Sequence, residues 1–174
     1  PPPSLAALPG QPARPQSGQR LSIVYGSQTG NARRAAEALA AQAEASGLAT
    51  RLLRADAYPQ RELAAERLLY VVISTQGEGD PPDDAIGLVE FLHGRRAPKL
   101  ADLHYAVLGL GDSSYADFCG IARRIDARLA ELGATRGLAL GEADVDIDSV
   151  AAPWREQALE PARLRPDAAP TGPA

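Results

Sequence analysis

Residues 67–74, RLLYVVIS, restrict the fold more than any other part of the chain. A strand with one face in water alternates apolar and polar residues. An unbroken apolar run of this length suits a strand covered by helices on both faces. Shorter runs of the same kind occur at residues 21–26 (LSIVYG) and 104–110 (HYAVLGL), with weaker ones at 49–54 and 136–140. Between them lie helical patterns. Residues 30–47 carry Ala32, Ala35, Ala36, Leu39, Ala40 and Ala43 at i, i+3, i+4 spacing, and Gly47 supplies a stop. Residues 83–94 place Ala85, Leu88, Val89 and Leu92 on one side. Phe118, Ile121, Ala122, Ile125, Leu129 and Leu132 mark a third helix, and residues 150–159 a last one. Five strands alternating with helices predict an α/β fold built on an open parallel sheet, with helices on both faces.

In such a sheet a ligand sits beyond the C-terminal ends of the strands, near the switch in strand order. The loops to inspect are therefore those after the first, third and fourth strands. The first is Ser27-Gln28-Thr29-Gly30-Asn31-Ala32, short and hydroxyl-rich, and it opens a helix. Unpaired N–H groups and the helix dipole favour an anion there. No basic residue lies inside the loop, which suits a phosphate that is held rather than transferred. The pattern GxxxxGK[ST] of a nucleotide-hydrolysing loop is missing.

The second loop runs through Ser74, Thr75, Gln76, Gly77, Glu78, Gly79 and Asp80 to two prolines. Two glycines one residue apart allow close approach to a ligand and peptide reorientation. A peptide that can offer either its carbonyl or its N–H suits a ring whose protonation changes. The third loop is Leu110-Gly111-Asp112-Ser113-Ser114-Tyr115-Ala116-Asp117-Phe118-Cys119. Its preceding Gly109 gives a GLG element, but a dinucleotide fingerprint follows the first strand and has a third glycine where Ser114 stands. Tyr115 is an aromatic placed to stack on a flat ring. A phosphate end, a reorienting peptide and a stacking ring on one sheet edge describe a mononucleotide with a planar head.

Composition narrows the remaining classes. A net charge of −4 argues against a nucleic-acid binder. A single cysteine among 174 residues excludes an internal disulfide, and its thiol fits a reducing, cytoplasmic compartment. His93 and His104 have no partner at metal-ligand spacing. No apolar run reaches the roughly 20 residues of a membrane helix. A hydrolase using Ser113 or Ser114 would lack the GxSxG elbow. A phosphate-accepting signalling domain would need acidic residues where Tyr25-Gly26-Ser27 and Ile73-Ser74-Thr75 stand. Residues 1–19 and 161–174 are rich in Pro and Ala, with Gly, Gln and Ser among them, and without period, so they read as linkers around a domain spanning 20–160. These ends, and the absence of methionine, lead us to expect a domain cut from a longer chain.

The segments SQTGNA, STQGEGDPPD, LGLGDSSYADFC and GEADVDIDSVAAPW resemble the flavodoxin-like domains of diflavin reductases, above all the flavoprotein (alpha) subunit of NADPH–sulfite reductases. The resemblance covers about residues 21–159. It implies a three-layer sandwich whose five-stranded parallel sheet has the order 2-1-3-4-5, and FMN as cofactor. Ser27, Gln28, Thr29, Gly30, Asn31 and Ala32 would hold the phosphate. Ser74, Thr75, Gln76 and Gly77 would line the ring, with the Gly77 carbonyl facing its N5–H. Leu110 through Cys119 would wrap the ring, with Tyr115 stacked on it. Microsomal-type relatives carry an aromatic at the position of Gln76, so one ring face is less shielded here. Cys119 reads as a packing residue and not a redox thiol.

The same resemblance implies single-electron relay from a FAD/NADPH reductase module, expected in the same full-length chain, to a haem/iron–sulfur acceptor. A free-standing flavodoxin shuttle is the alternative. Glu78, Asp80, Asp83, Asp84, Asp112, Asp117, Asp144, Asp146 and Asp148 fall on or near the ligand edge and would form an acidic rim for a basic redox partner.

Overall fold

The computed structural model describes residues 20–26, 30–75, 81–111, 119–144 and 146–164. The elements follow in the order β1 (Leu21–Gly26), α1 (Asn31–Ala45), β2 (Thr50–Arg54), β3 (Leu68–Ser74), α2 (Ile86–His93), β4 (His104–Leu110), α3 (Gly120–Glu131), β5 (Thr135–Arg136), β6 (Gly141–Ala143) and α4 (Asp148–Leu164), with 3-10 turns at Ala55–Ala57, Gln60–Ala65 and Asp83–Ala85. All strand pairs are parallel, and the path across the sheet is β2-β1-β3-β4-β5, with β6 also on β4. The expected order is the observed one.

The apolar run of β3 is explained by a core on each side of it. Leu68, Tyr70 and Val72 face one cluster together with Ala32, Ala36 and Leu39 of α1 and Ala151, Trp154 and Ala158 of α4. Leu69, Val71 and Ile73 face the other, with Leu88 and Leu92 of α2 and Ile121, Ile125 and Leu129 of α3. Strand alternation thus sends successive side chains to opposite helical layers. Two glycines set how closely the second layer approaches. A Cβ on Gly109 would stand 2.5 Å from Ala122 Cβ, and one on Gly26 would stand 2.9 Å from Ala85 Cβ.

The fifth strand differs from expectation. Rather than a run over 136–140, β5 pairs at Thr135 and Arg136 and β6 resumes at Gly141. Arg136 lies opposite Tyr105 and Gly141 opposite Leu108, so five steps on this side span three on β4. Two extra residues therefore loop out of the ladder. The loop lies at the sheet border, where Leu138 and Leu140 reach separate clusters, one on each face. Apolar content alone could not separate such a loop from a paired strand. The last helix begins at Asp148 and continues to Leu164, into the stretch whose composition reads as linker.

At the end of the sheet opposite the ligand edge, a polar cluster ties β1, β2 and the 55–66 connection together. Buried Glu66 accepts bonds from Ser22 Oγ (2.9 Å), Tyr58 Oη (2.6 Å) and Arg51 Nη2 (3.0 Å). Arg51 also donates to Ser22 Oγ at 2.9 Å and pairs with Glu62 at 2.9 Å. A carboxylate that is 5% exposed is tolerated because its oxygens are saturated by these donors.

Candidate functional site

Three strand ends converge on the C-terminal edge of the sheet: Gly26 of β1, Ser74 of β3 and Leu110 of β4. They do not hang independently. The Thr75 N–H donates to the Leu110 carbonyl at 2.9 Å, joining the stems of the second and third loops. The Thr75 hydroxyl accepts the Ile121 N–H at 3.2 Å and so satisfies one first-turn donor of α3. The Gly111 N–H donates to the Ala143 carbonyl at 2.9 Å, which ties the third loop to β6. One threonine therefore fixes two loop stems and a helix start.

The first loop enters α1 through Gly30, whose φ of 93° lies in the left-handed region. That conformation is open to glycine at no steric cost, which explains the residue at this position. The Gly30 carbonyl accepts the Arg34 N–H at 3.0 Å and closes the first turn. Gly30 itself offers no side-chain cap, and the first turn holds no acidic residue. The Asn31 Oδ1 accepts a bond from Arg34 Nη2, while Arg33 pairs with Glu37 at 3.0 Å. The positive end of the helix dipole therefore meets no carboxylate of its own turn, the electrostatic condition for receiving a phosphate.

The expected site residues divide into three groups. Gly30, Asn31, Ser74, Thr75 and Gly111 are half-buried at this edge. Ala32, Leu110 and Cys119 are buried in the core at 0%, 3% and 0% exposure, so their side chains serve packing and only their backbone could face a ligand. Ser27, Gln28, Thr29, Gln76, Gly77, Asp112, Ser113, Ser114, Tyr115, Ala116, Asp117 and Phe118 lie outside the described residues, as do Glu78 and Asp80 of the acidic rim. Of that rim, Asp83 and Asp146 are exposed and Asp84 and Asp144 half-buried.

Cys119 precedes α3 with φ 59°, the one positive-φ residue other than glycine among those described. Its Sγ lies 4.0 Å from the Ala143 carbonyl oxygen and packs over Gly109. Burial, with the Glu142 carboxylate nearby, pushes the thiol up to about 12. It is a neutral packing group. Arg123 holds Glu142 by two bonds of 2.8 and 3.1 Å, linking α3 to β6 beside it. Among the described residues no group of three or more His, Cys, Asp or Glu could hold a metal ion. No helix among them is long and apolar enough to cross a membrane.

Sequence reasoning missed the bridging role of Thr75 and the Arg123–Glu142 link. Neither has a local signal, since the partners lie 46 and 19 residues apart.

Comparison with known proteins agrees with this geometry. The flavodoxin family model matches residues 23–154. The NADPH–sulfite reductase flavoprotein alpha-component of Vibrio vulnificus is 50% identical over 141 residues, covering 81% of this chain and 23% of that protein. The corresponding protein of Aliivibrio fischeri is 48% identical over 155 residues, covering 89% of this chain and 25% of that protein. The chain thus spans about a quarter of the length of these curated relatives. A solved single-site variant of Pseudomonas aeruginosa flavodoxin superposes with a TM-score of 0.70 at 31% identity, covering 80% of this chain and 97% of that one. The cofactor of this family is FMN, and an acid-free helix start entered through a left-handed glycine fits its phosphate. Sheet order, loop stems and family match agree: the chain belongs to the flavodoxin family.

Proposed function

We propose that this chain is the FMN-binding electron-transfer domain of a diflavin reductase of the sulfite reductase flavoprotein type. It would pass single electrons from a FAD/NADPH module to a redox acceptor such as a haem/iron–sulfur protein in the cytoplasm. The observation that carries the reading is the convergence at one sheet edge of an acid-free start of α1 with two loop stems locked through Thr75. FMN supplies one-electron and two-electron redox chemistry when bound. The chain's own part is to hold and orient it. Ser27 through Ala32 would receive the phosphate, with their N–H groups and hydroxyls as donors. Ser74 through Gly77 and Leu110 through Cys119 would flank the ring, Tyr115 by stacking and Gly77 by its carbonyl. Ala32, Leu110 and Cys119 contribute backbone and support from below.

The chain alone would act as an electron carrier without oxidising NADPH efficiently, an activity that would belong to the reductase module. The acidic rim would orient a basic acceptor. Stepwise reduction of the FMN-loaded chain, followed by absorption, tests the reading. Two resolved one-electron stages are expected, and a single two-electron transition would contradict the relay.

A free-standing shuttle is the second reading, favoured by the 97% coverage of the Pseudomonas aeruginosa flavodoxin. The two differ in whether electrons arrive from a covalent neighbour. Dilution decides: intramolecular transfer in the full-length protein is independent of its concentration.

A further inference from the structure

A cleft of about 490 Å³ lies between α1 and the start of α4, beside the phosphate pole. We propose that it is a nucleotide subsite, taking the phosphoribosyl part of a nucleoside monophosphate unit. This rests in part on the proposed function, because the cleft adjoins Asn31 of the phosphate-receiving turn. Its volume lies in the usual range of small-molecule sites, roughly 300–1,000 Å³. Ala35 and Ala38 on one face of α1 leave its floor free of long side chains. Arg34 rises from α1, Arg155 from α4, and Asp146 and Ile147 from the segment before α4.

The two arginines differ from the ion-paired arginines of the fold. Arg33, Arg51, Arg54, Arg123, Arg128 and Arg136 each pair with a carboxylate. Among the described residues, Arg34 and Arg155 bond neutral amide oxygens instead. Arg34 donates to Asn31 Oδ1, and Arg155 Nε donates to Gln42 Oε1 at 3.3 Å. These bonds orient the guanidiniums without neutralising them, and each keeps further N–H donors for an oxyanion. The acid-free N-terminus of α1 adds to the positive field. Asp146 is the one carboxylate in the lining, so a bare polyanion is a poor match for the cleft. A ligand carrying both a phosphate and hydroxyl donors matches it: the phosphate between the arginines and ribose hydroxyls on Asp146, as acidic residues bind ribose elsewhere.

Such a group can come from a free mononucleotide or from the adenylate half of a dinucleotide flavin. Titration of the FMN-loaded protein with AMP, adenosine and inorganic phosphate, read by calorimetry, tests the site while the flavin absorption reports FMN retention. AMP is expected to bind more tightly than either fragment. Arg155→Gln should weaken AMP by roughly tenfold, as expected for loss of a charge-assisted contact, with FMN retained. Asp146→Asn should weaken AMP but not inorganic phosphate.

Absence of AMP binding at about 10 mM, or AMP binding indifferent to Arg155→Gln, would overturn the subsite while leaving the FMN reading intact. Loss of FMN binding alone would overturn the proposed function, and AMP titration of the bare protein would still test the cleft. FAD added to flavin-free protein separates the sources. FAD retention lowered by Arg155→Gln supports the dinucleotide source. FAD retention indifferent to the substitution, with AMP still sensitive, supports a free nucleotide.

Discussion

Cys119 shows how far a single side chain can be read. Its sequence neighbourhood suggests a thiol near the cofactor, and the structure buries it between Gly109 and Ala143 with its ionisation pushed up to about 12. Only the thiolate attacks, so thiol reagents at pH 8 should modify the folded protein far more slowly than the denatured chain. Comparable rates, measured by mass spectrometry, would contradict the burial. Tyr58 carries a pH prediction. Burial first, then the bond to Glu66, raises its ionisation above the ordinary value of about 10. The unfolded chain therefore loses this proton first, and the contribution of Tyr58, complete below pH 10, declines as pH rises above it. Tyr58→Phe should cost about 1–2 kcal/mol at pH 7 and flatten the alkaline loss of stability in denaturant titrations. The polar cluster behind this prediction was invisible in the sequence. Its members at Ser22, Arg51, Tyr58 and Glu66 share no motif, and only strand pairing brings them together.

Among the elements, the strands and helices were legible wherever periodicity was strong. β3 and β4 lie within a residue of their expected limits because burial on both faces leaves an unmistakable apolar run. The β5–β6 break was not legible, since two looped-out residues do not change the apolar content. Packing between elements gives a paired prediction at two glycines. Gly109→Ala would press a methyl against Ala122 on the rigid α3 and should cost about 1–3 kcal/mol. Gly87→Ala meets nothing within 4 Å on α2 and should gain about 0.5–1 kcal/mol. Thermal unfolding of the two variants checks both, and equal shifts would mean that α3 does not lie on β4 as closely as described.

For the whole molecule, the three loops could be located from sequence because a parallel sheet puts its ligand at one edge. Their described stems and the start of α1 lie at that edge, whereas the cleft between Arg34 and Arg155 left no sequence signal, its walls being 121 residues apart. On the proposed acidic rim, residues at that edge, Asp83, Asp84, Asp144 and Asp146 among them, would set the long-range field. Electron transfer to a basic acceptor should slow as ionic strength rises from about 0.01 to 0.5 M, as the screening length shrinks from about 30 Å to a few ångströms. A rate unaffected by salt in stopped-flow mixing would remove the acidic rim from the account.

The central claim is that the turn leading into α1 holds the phosphate of FMN. Titrating the flavin-free protein with FMN and with riboflavin, and following quenching of flavin fluorescence, tests it most directly. The account predicts one FMN bound per chain and riboflavin, which has no phosphate, at least about a hundredfold weaker, from the charge-assisted bonds lost at a helix start. Equal affinity for the two, or no binding of either, would contradict it.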